Sequence, residues 1–400
     1  MSTSTLWGSD DQATLRNPYP AYTQLRTSAP WYDHPDGYTV VSRYHDVLAA
    51  LAHEHVGYED DPVQGVASRT GEGPFASNIG SWLLSMNNPR HNSLRRLIGP
   101  AFLPRNVARL REGVAERVQR QFDALVAAGG GDALQEIAFE IPSDLICQLM
   151  GVPPADRGEL AKLTNSVATL LFEASPGQKM IDDGNDAVRG IDEYFGALVE
   201  ERRRNRGADL ISIMLNVKDK SEDITDYELL ANVHFMYGAG YEETHCFIAS
   251  GIFHLLANPG LAERQRNDGD GGAAVQRELL RYDTPLQSTL RLVREDTEIN
   301  GHSVHQGQRL QLLIGSANRD GDVFPDPDCL VVDRPEEPRI ASFGGGIHHC
   351  AGHPLARMVS LEIFTQLVRR PLALAFDPAD AAWRPGQVYR CLESLPLTTA

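Results

Sequence analysis

The stretch Phe343 to Arg357, FGGGIHHCAGHPLAR, holds a single cysteine among glycines and histidines. Cys350 comes just ahead of a segment whose apolar residues, Leu355, Met358, Val359, Leu361, Ile363 and Leu367, recur at helical spacing. The thiol therefore sits where a helix begins, and there unpaired amides and the positive end of the helix dipole favour a thiolate. A thiolate is a metal ligand. The glycine run Gly344 to Gly346 permits unusual dihedrals and close approach of a flat cofactor, and Pro354 falls in the first turn, where a missing N–H costs little. Two plainer alternatives stand beside this one. A lone cysteine is often a small buried hydrophobe, and His348, His349 and His353 around Cys350 suggest zinc. Zinc fingers pair such histidines with a Cys-x-x-Cys, and the chain has none.

Three other segments carry chemistry. Gly238-Ala239-Gly240-Tyr241-Glu242-Glu243-Thr244 lies in the middle of the longest helical pattern, residues 226 to 258. Two carboxylates suit pure packing poorly, and buried charges need a reason. Pro89 to Arg96 opens another helix, with His91 and Arg95 four residues apart on a face that could hold an anion or simply meet solvent. Glu278 and Arg281 stand at i, i+3 spacing, so carboxylate and guanidinium can meet, although such pairs usually mark a solvated face.

The elements that must position these residues are mostly helical. GYTVVSRYHDVLAAL reads as a strand leading into a helix, residues 107 to 217 as successive helices, and Arg291 onward as an extended piece running to a turn at Asn300-Gly301. Residues 56 to 85 show little periodicity and are expected to form a long loop; residues 1 to 17 are expected to be a flexible N-terminus. The chain of 400 residues has 37 Lys plus Arg against 54 Asp plus Glu, a net charge of −17, which argues against nucleic acid or anionic membrane surfaces as partners. The start, MSTSTLWGSDDQATLRNPYP, has neither a basic n-region nor an apolar core, and no run approaches the roughly 18 apolar residues of a membrane span. Five scattered cysteines offer no disulfide framework, so a reducing cytoplasm is expected. No Gly-rich nucleotide loop lies between a strand and a helix, so electrons for any redox chemistry would come from outside.

Phe343-x-x-Gly346-x-His348-x-Cys350-x-Gly352 resembles the haem-binding signature of the cytochrome P450 family. Further matches are His91 and Arg95, Glu278 and Arg281 with Arg334, Arg291, Ala317-Asn318-Arg319-Asp320 and Phe324-x-Asp326-Pro327. The resemblance runs from residue 18 to 397 and is weakest at 56 to 85 and 160 to 190. It implies one domain over residues 1 to 400, mainly α with a small β region, enclosing haem b (iron protoporphyrin IX). Cys350 would bind the iron, His91, Arg95, Arg291 and His348 the propionates, and Phe343, Gly346 and Gly352 would shape the cysteine loop. Ala239 and Gly240 would make room on the opposite side of the cofactor, and Glu278, Arg281 and Arg334 would form a structural network. Leu286 to Leu290 and Tyr389 to Leu392 would line substrate entry. The implied partners are a small-molecule substrate, a ferredoxin and a ferredoxin reductase, with no nucleic acid and no membrane.

One departure stands out. The family's central helix carries Ala-Gly-x-acid-Thr, and an ungapped count from Ala239-Gly240 puts Glu242 on the acid and Glu243 on the threonine. A hydroxyl both donates and accepts, whereas an ionised carboxylate only accepts. Glu243 is then an acid–base group suited to peroxide, or a contact for a cationic or hydroxylated substrate, or a local bulge lets Thr244 take the usual place. The function implied is a haem-thiolate monooxygenase of secondary metabolism. A peroxide-driven enzyme is the alternative, and a haem-binding or gas-sensing protein without catalysis is the alternative of another class.

Overall fold

The computed structural model describes residues 6–8, 11–173, 175–240, 242–267, 272–334 and 338–399. These fall into two compact units, one of Met1–Val56, Val107–Pro142 and Glu242–Ala400, the other of Gly57–Asn106 and Ser143–Tyr241. As expected, helices dominate and the sheets are small. Six helices carry the residues of interest. The first unit contributes α1 (Tyr44–Ala52), α4 (Glu242–Ala257), α5 (Ala273–Tyr282) and α6 (His353–Leu367); the second contributes α2 (Arg90–Ile98) and α3 (Asp226–Gly238).

In the first unit, four strands of the larger sheet are β1 (Trp31–His34), β2 (Tyr38–Val41), β3 (Thr289–Val293) and β4 (Arg309–Leu312). β1 runs antiparallel to β2, β2 parallel to β4, and β4 antiparallel to β3, with Arg291 opposite Leu310. Val41, Val293, Leu310 and Leu312 pack with Val47 and Leu51 of α1 and with Phe324 into one apolar core. The Asn300-Gly301 turn joins Thr297–Ile299 to His302–Val304, both turn residues having positive φ, as a tight hairpin demands.

Two expectations fail. Within the stretch 1 to 17, the described residues are held in place: Trp7 is buried beside Tyr22, Leu25, Val40 and Leu313, its indole N–H donates to Gln311 Oε1 at 2.9 Å, and Gln12–Arg16 is helical. One large ring with a buried acceptor suffices to anchor a short segment whose composition is otherwise polar. In the second unit the expected loop at 56 to 85 contains two helices, Pro62–Thr70 and Pro74–Gly80. Asp61 caps the first by accepting from the Gln64 amide at 3.1 Å, and Pro62 begins it. Arg69 donates to the Leu170 carbonyl at 2.9 Å, while Phe75 and Ile79 are buried. Tertiary contacts thus supply what weak periodicity hid.

Candidate active site

The cysteine loop runs from Phe343 to the start of α6. Gly344 and Gly346 adopt φ of +70° and +59°, the left-handed region where a side chain is strained, and a Cβ on Gly346 would sit 2.3 Å from the Leu51 carbonyl oxygen of α1. The chain then turns so that the Cys350 amide donates to the Phe343 carbonyl at 3.0 Å, and Gly352 caps α6. Cys350 is an exposed thiol three residues ahead of α6. His353 Nδ1 lies 3.0 Å from the Cys350 carbonyl, and the His353 ring packs against Phe343 and His349 at 5.6 and 5.0 Å between centroids. His348 is partly buried in the same loop.

Arg291 projects from β3, buried, with Nη1 donating to Thr289 Oγ1 and the Leu290 carbonyl, each at 2.7 Å. Leu290 and Ile347 expose 59% and 38% of their surface, high for such large apolar residues. The unit therefore offers an accessible soft sulfur, cationic side chains and uncovered apolar surface. This donor set fits a haem, which needs an axial ligand, partners for its carboxylates and apolar contact.

The same unit holds a buried ion network. Glu278 and Arg281 of α5 meet through Arg281 Nε to Oε2 at 2.8 Å and Nη2 to Oε1 at 2.7 Å, and Arg334 donates to the same carboxylate at 3.1 and 3.2 Å. The Val331 amide adds a bond at 2.8 Å, and Arg281 reaches the carbonyls of Asn318 and Pro327 at 3.0 and 2.8 Å. Burial by itself raises the Glu278 carboxyl, but the two guanidinium groups outweigh it and hold the group below the usual carboxylate range. The solvated-face alternative fails here, since all three side chains are buried.

The long helix expected over 226 to 258 is two helices. α3 begins with a capping box between Thr225 and Glu228 and ends at Gly238, where the Ala239 amide donates to Phe235 at 2.8 Å; α4 starts at Glu242. Tyr241 lies outside the described residues. Gly238 and Gly240 are poor helix formers, and a Cβ on Gly240 would come 2.9 Å from Ile146 Cδ1, so a side chain there would have to displace the end of Ile146. The break changes the meaning of the two carboxylates. They occupy the first turn of α4, where the helix dipole favours negative charge, rather than the middle of a helix.

Glu243 is nonetheless not a simple cap. Its Oε1 accepts a hydrogen bond from Tyr389 Oη at 3.2 Å. Burial pushes the Glu243 carboxyl above its ordinary range, Glu242 adds to this, and its own backbone amide and Tyr389 only partly oppose it. Tyr389 is itself raised, by burial first and then by Glu243. Glu242 faces outward, with Oε2 3.6 Å from His245 Nδ1 and Oε1 4.0 Å from Arg384. Thr244 follows, partly buried. The two segments expected at substrate entry meet each other: Leu286 and Tyr389 form a bridge, and the Gln287 amide donates to Val388 at 2.7 Å.

The first unit thus holds Phe343, Gly346, His348, Cys350, Gly352, Arg291, Glu242, Glu243 and Thr244, while His91, Arg95, Ala239 and Gly240 belong to the second. α2 is fixed to α3 by Arg90 Nε donating to Glu228 at 2.8 Å. His91 is buried, not solvent-facing, and burial followed by the nearby Arg95 lowers its pKa, so it is neutral near pH 7. Sequence patterns pointed to Tyr389 only as part of a turn and missed its pairing with Glu243.

A family model for cytochrome P450 matches residues 30–271 and 273–373. The biotin biosynthesis cytochrome P450 of Bacillus subtilis is 31% identical over 393 residues, 96% of each chain. The polyketide biosynthesis cytochrome P450 PksS of the same organism is 32% identical, covering 80% of this chain and 78% of that one. Among solved structures, CalO2 superposes with a TM-score of 0.91 at 28% identity over 98% of both chains. P450BioI, in complex with an acyl carrier protein bearing hexadec-9Z-enoic acid, does so with 0.88 at 29% identity, over 97% of this chain and 99% of the other. No helix among the described residues is long and apolar enough to cross a membrane. With its cysteine loop, its buried Glu278–Arg281–Arg334 network and these relatives, the chain belongs to the cytochrome P450 family, haem-binding oxidoreductases of the monooxygenase type that act on small molecules.

Proposed function

We propose that this protein is a haem-thiolate monooxygenase of biosynthetic metabolism in which Glu243, its carboxyl raised by burial and aligned by Tyr389, handles the proton that the family's threonine handles elsewhere. Haem b bound through the Cys350 thiolate supplies oxygen activation and oxidation of the substrate. His348, Arg291, His91 and Arg95 are the cationic or donor side chains assigned to the haem carboxylates, and an arginine fork suits that task. The observation that carries the proposal is the Tyr389–Glu243 hydrogen bond together with the raised carboxyl.

Tyr389 Oη donates to Glu243 Oε1 and so orients the carboxyl. A carboxyl raised toward neutrality can both give and take a proton, the requirement for general acid–base work. Tyr389 also ties α4 to the turn that pairs with Leu286, so a bound substrate and the acid would share one rigid support. Electrons come from a ferredoxin and its reductase in this proposal. A second route is supported by the same carboxyl: hydrogen peroxide replaces dioxygen and reductant, because an acid–base group can take a peroxide proton and return it to the departing oxygen.

Acyl or polyketide chains are the substrate class favoured, since relatives are named for biotin and polyketide biosynthesis and one is solved with an acyl-loaded carrier protein. The test mixes the ferric enzyme with hydrogen peroxide in a stopped-flow spectrometer, native against Glu243→Thr, and runs NADPH oxidation with a surrogate ferredoxin pair in parallel. Fast spectral change in the native enzyme alone supports Glu243 as the acid–base group. Equal rates in both proteins remove Glu243 from the proton path.

A further inference from the structure

Outside the proposed catalytic residues, one group of side chains in the first unit has no part in any step above. His245 and Cys246 of α4 and Cys391 of the C-terminal turn are all buried, and their donor atoms lie within 4.8 Å of one another. We infer that His245, Cys246 and Cys391 form a zinc site that clips α4 to the turn bearing Tyr389.

The distances match a coordination sphere. His245 Nε2 lies 3.4 Å from Cys391 Sγ and 4.0 Å from Cys246 Sγ. Zinc bonds of about 2.3 Å to sulfur and about 2.0–2.1 Å to nitrogen set such a separation at about 3.6–3.8 Å for tetrahedral or trigonal angles. The two nitrogen–sulfur pairs therefore need shifts of only a few tenths of an ångström, and the two sulfurs lie within 4.8 Å of each other.

The histidine is oriented for the task. Its Nδ1 is buried without a hydrogen bond, and the nearest acid, Glu242 Oε2, is 3.6 Å away, just beyond bonding reach. A small rotation makes Nδ1–H donate to Glu242 and leaves the Nε2 lone pair facing the two sulfurs. This is the carboxylate–histidine–metal arrangement that fixes a ligand's tautomer. The Phe139 ring meets His245 edge-on with centroids 5.9 Å apart, supporting the imidazole from another side.

Charge selects the ion. Two thiolates and a neutral imidazole with a divalent cation sum to zero, which is what a buried site tolerates, whereas a monovalent soft cation would leave a net negative charge. Hard divalent cations prefer oxygen donors. The fourth position is left for water or for none. Glu242 is partly exposed and gives a route by which the ion can enter, with Arg384 at 4.0 Å as its competing partner.

The consequence lies in the neighbouring residue pair. Cys391 is two residues from Tyr389, and Cys246 is three from Glu243. Zinc would hold the two backbones that the Tyr389–Glu243 hydrogen bond spans, so the site would keep the acid aligned without touching substrate.

Purified holoenzyme, reduced and kept anaerobic, is loaded with excess zinc chloride and desalted, and zinc per haem is measured by plasma mass spectrometry. Native enzyme is expected to retain one zinc per chain, as is Cys329→Ser, which removes an exposed thiol elsewhere. Cys246→Ser and Cys391→Ser should each lose it, and Glu242→Gln should weaken binding about tenfold. X-ray absorption at the zinc edge of the native holoenzyme, which needs no variant to fold, should show two sulfurs and at least one nitrogen. A zinc that washes out of the native enzyme overturns the inference. So does a shell of nitrogen and oxygen alone, or a Cys246–Cys391 disulfide in the anaerobically reduced protein.

Discussion

Glu278 and Glu243 are acids of the same unit, the first buried and the second partly so, and their surroundings push them in opposite directions. Glu278 receives five hydrogen-bond donors from Arg281, Arg334 and the Val331 amide, and two positive charges hold it ionised. Glu243 has only neutral donors, Tyr389 and its own backbone amide, and a second carboxylate next to it in sequence, so burial wins and its carboxyl is raised. Burial alone does not make an acid functional. What separates a structural carboxylate from a chemical one is whether the site supplies enough donors to use up its lone pairs, and only the under-supplied one can exchange a proton.

The largest effect that can break this contrast is on folding. Glu278→Ala leaves two buried guanidinium groups facing no anion, and breaking a buried pair from one side costs about 3–5 kcal/mol. Holoenzyme yield and the urea midpoint should both collapse, whereas Glu243→Ala should leave them nearly intact. Comparable losses in the two variants would show that Glu243 is also structural.

How far sequence revealed this pair is instructive. Glu278, Arg281 and Arg334 were visible because i, i+3 spacing and the family match act locally, and Cys350 because a glycine run, a cysteine and a helix start follow one another within a few residues. The bond from Tyr389 to Glu243 spans 146 residues of chain, as does the contact of Cys391 with His245, and no periodicity carries such information. The break at Ala239 and Gly240 was hidden for a different reason. Apolar spacing continues across it, although Gly238 and Gly240 weaken the helix there. The helices at 62–70 and 74–80 depend on a cap and on a few buried anchors, which propensity does not weigh.

Next in size is an effect on rate. Glu243→Gln keeps the shape and removes the proton, so the reaction with peroxide should slow by about 100-fold, within the range ascribed to a positioned acid or base. Stopped-flow traces of both proteins provide the measurement, and Glu243→Asp should recover part of the loss. An unchanged rate would place Glu243 with Glu278 as scaffold.

A smaller effect sharpens the role of the tyrosine. Its hydrogen bond favours the ionised form of Glu243, so Tyr389→Phe should raise the carboxyl further, at a stability cost of about 1 kcal/mol. The alkaline limb of the peroxide pH–rate profile, set by loss of the Glu243 proton, should move to higher pH. Movement to lower pH would mean that Tyr389 stabilises the protonated acid instead.

The smallest effect is the dependence of stability on pH, and it has opposite signs for the two acids. Glu278 is ordinarily near 4.5 and is lowered in the folded protein, so its contribution is complete above that value and disappears as pH falls through the folded one. Glu243 also starts from 4.5 but is raised, so the folded state holds its proton more tightly than the unfolded chain does. Its contribution is complete below pH 4.5 and is lost as pH rises through the folded value, with a slope no steeper than about 1.4 kcal/mol per pH unit, the limit for one proton. Urea midpoints of native enzyme and Glu243→Gln, measured from pH 4 upward, should therefore differ in a definite way: the native protein loses ground to the variant as pH rises, then runs parallel to it once the carboxyl has ionised. If the gap instead grows in favour of the native protein with rising pH, Glu243 is stabilised as an anion like Glu278, and its place at the first turn of α4 is explained by the helix dipole alone.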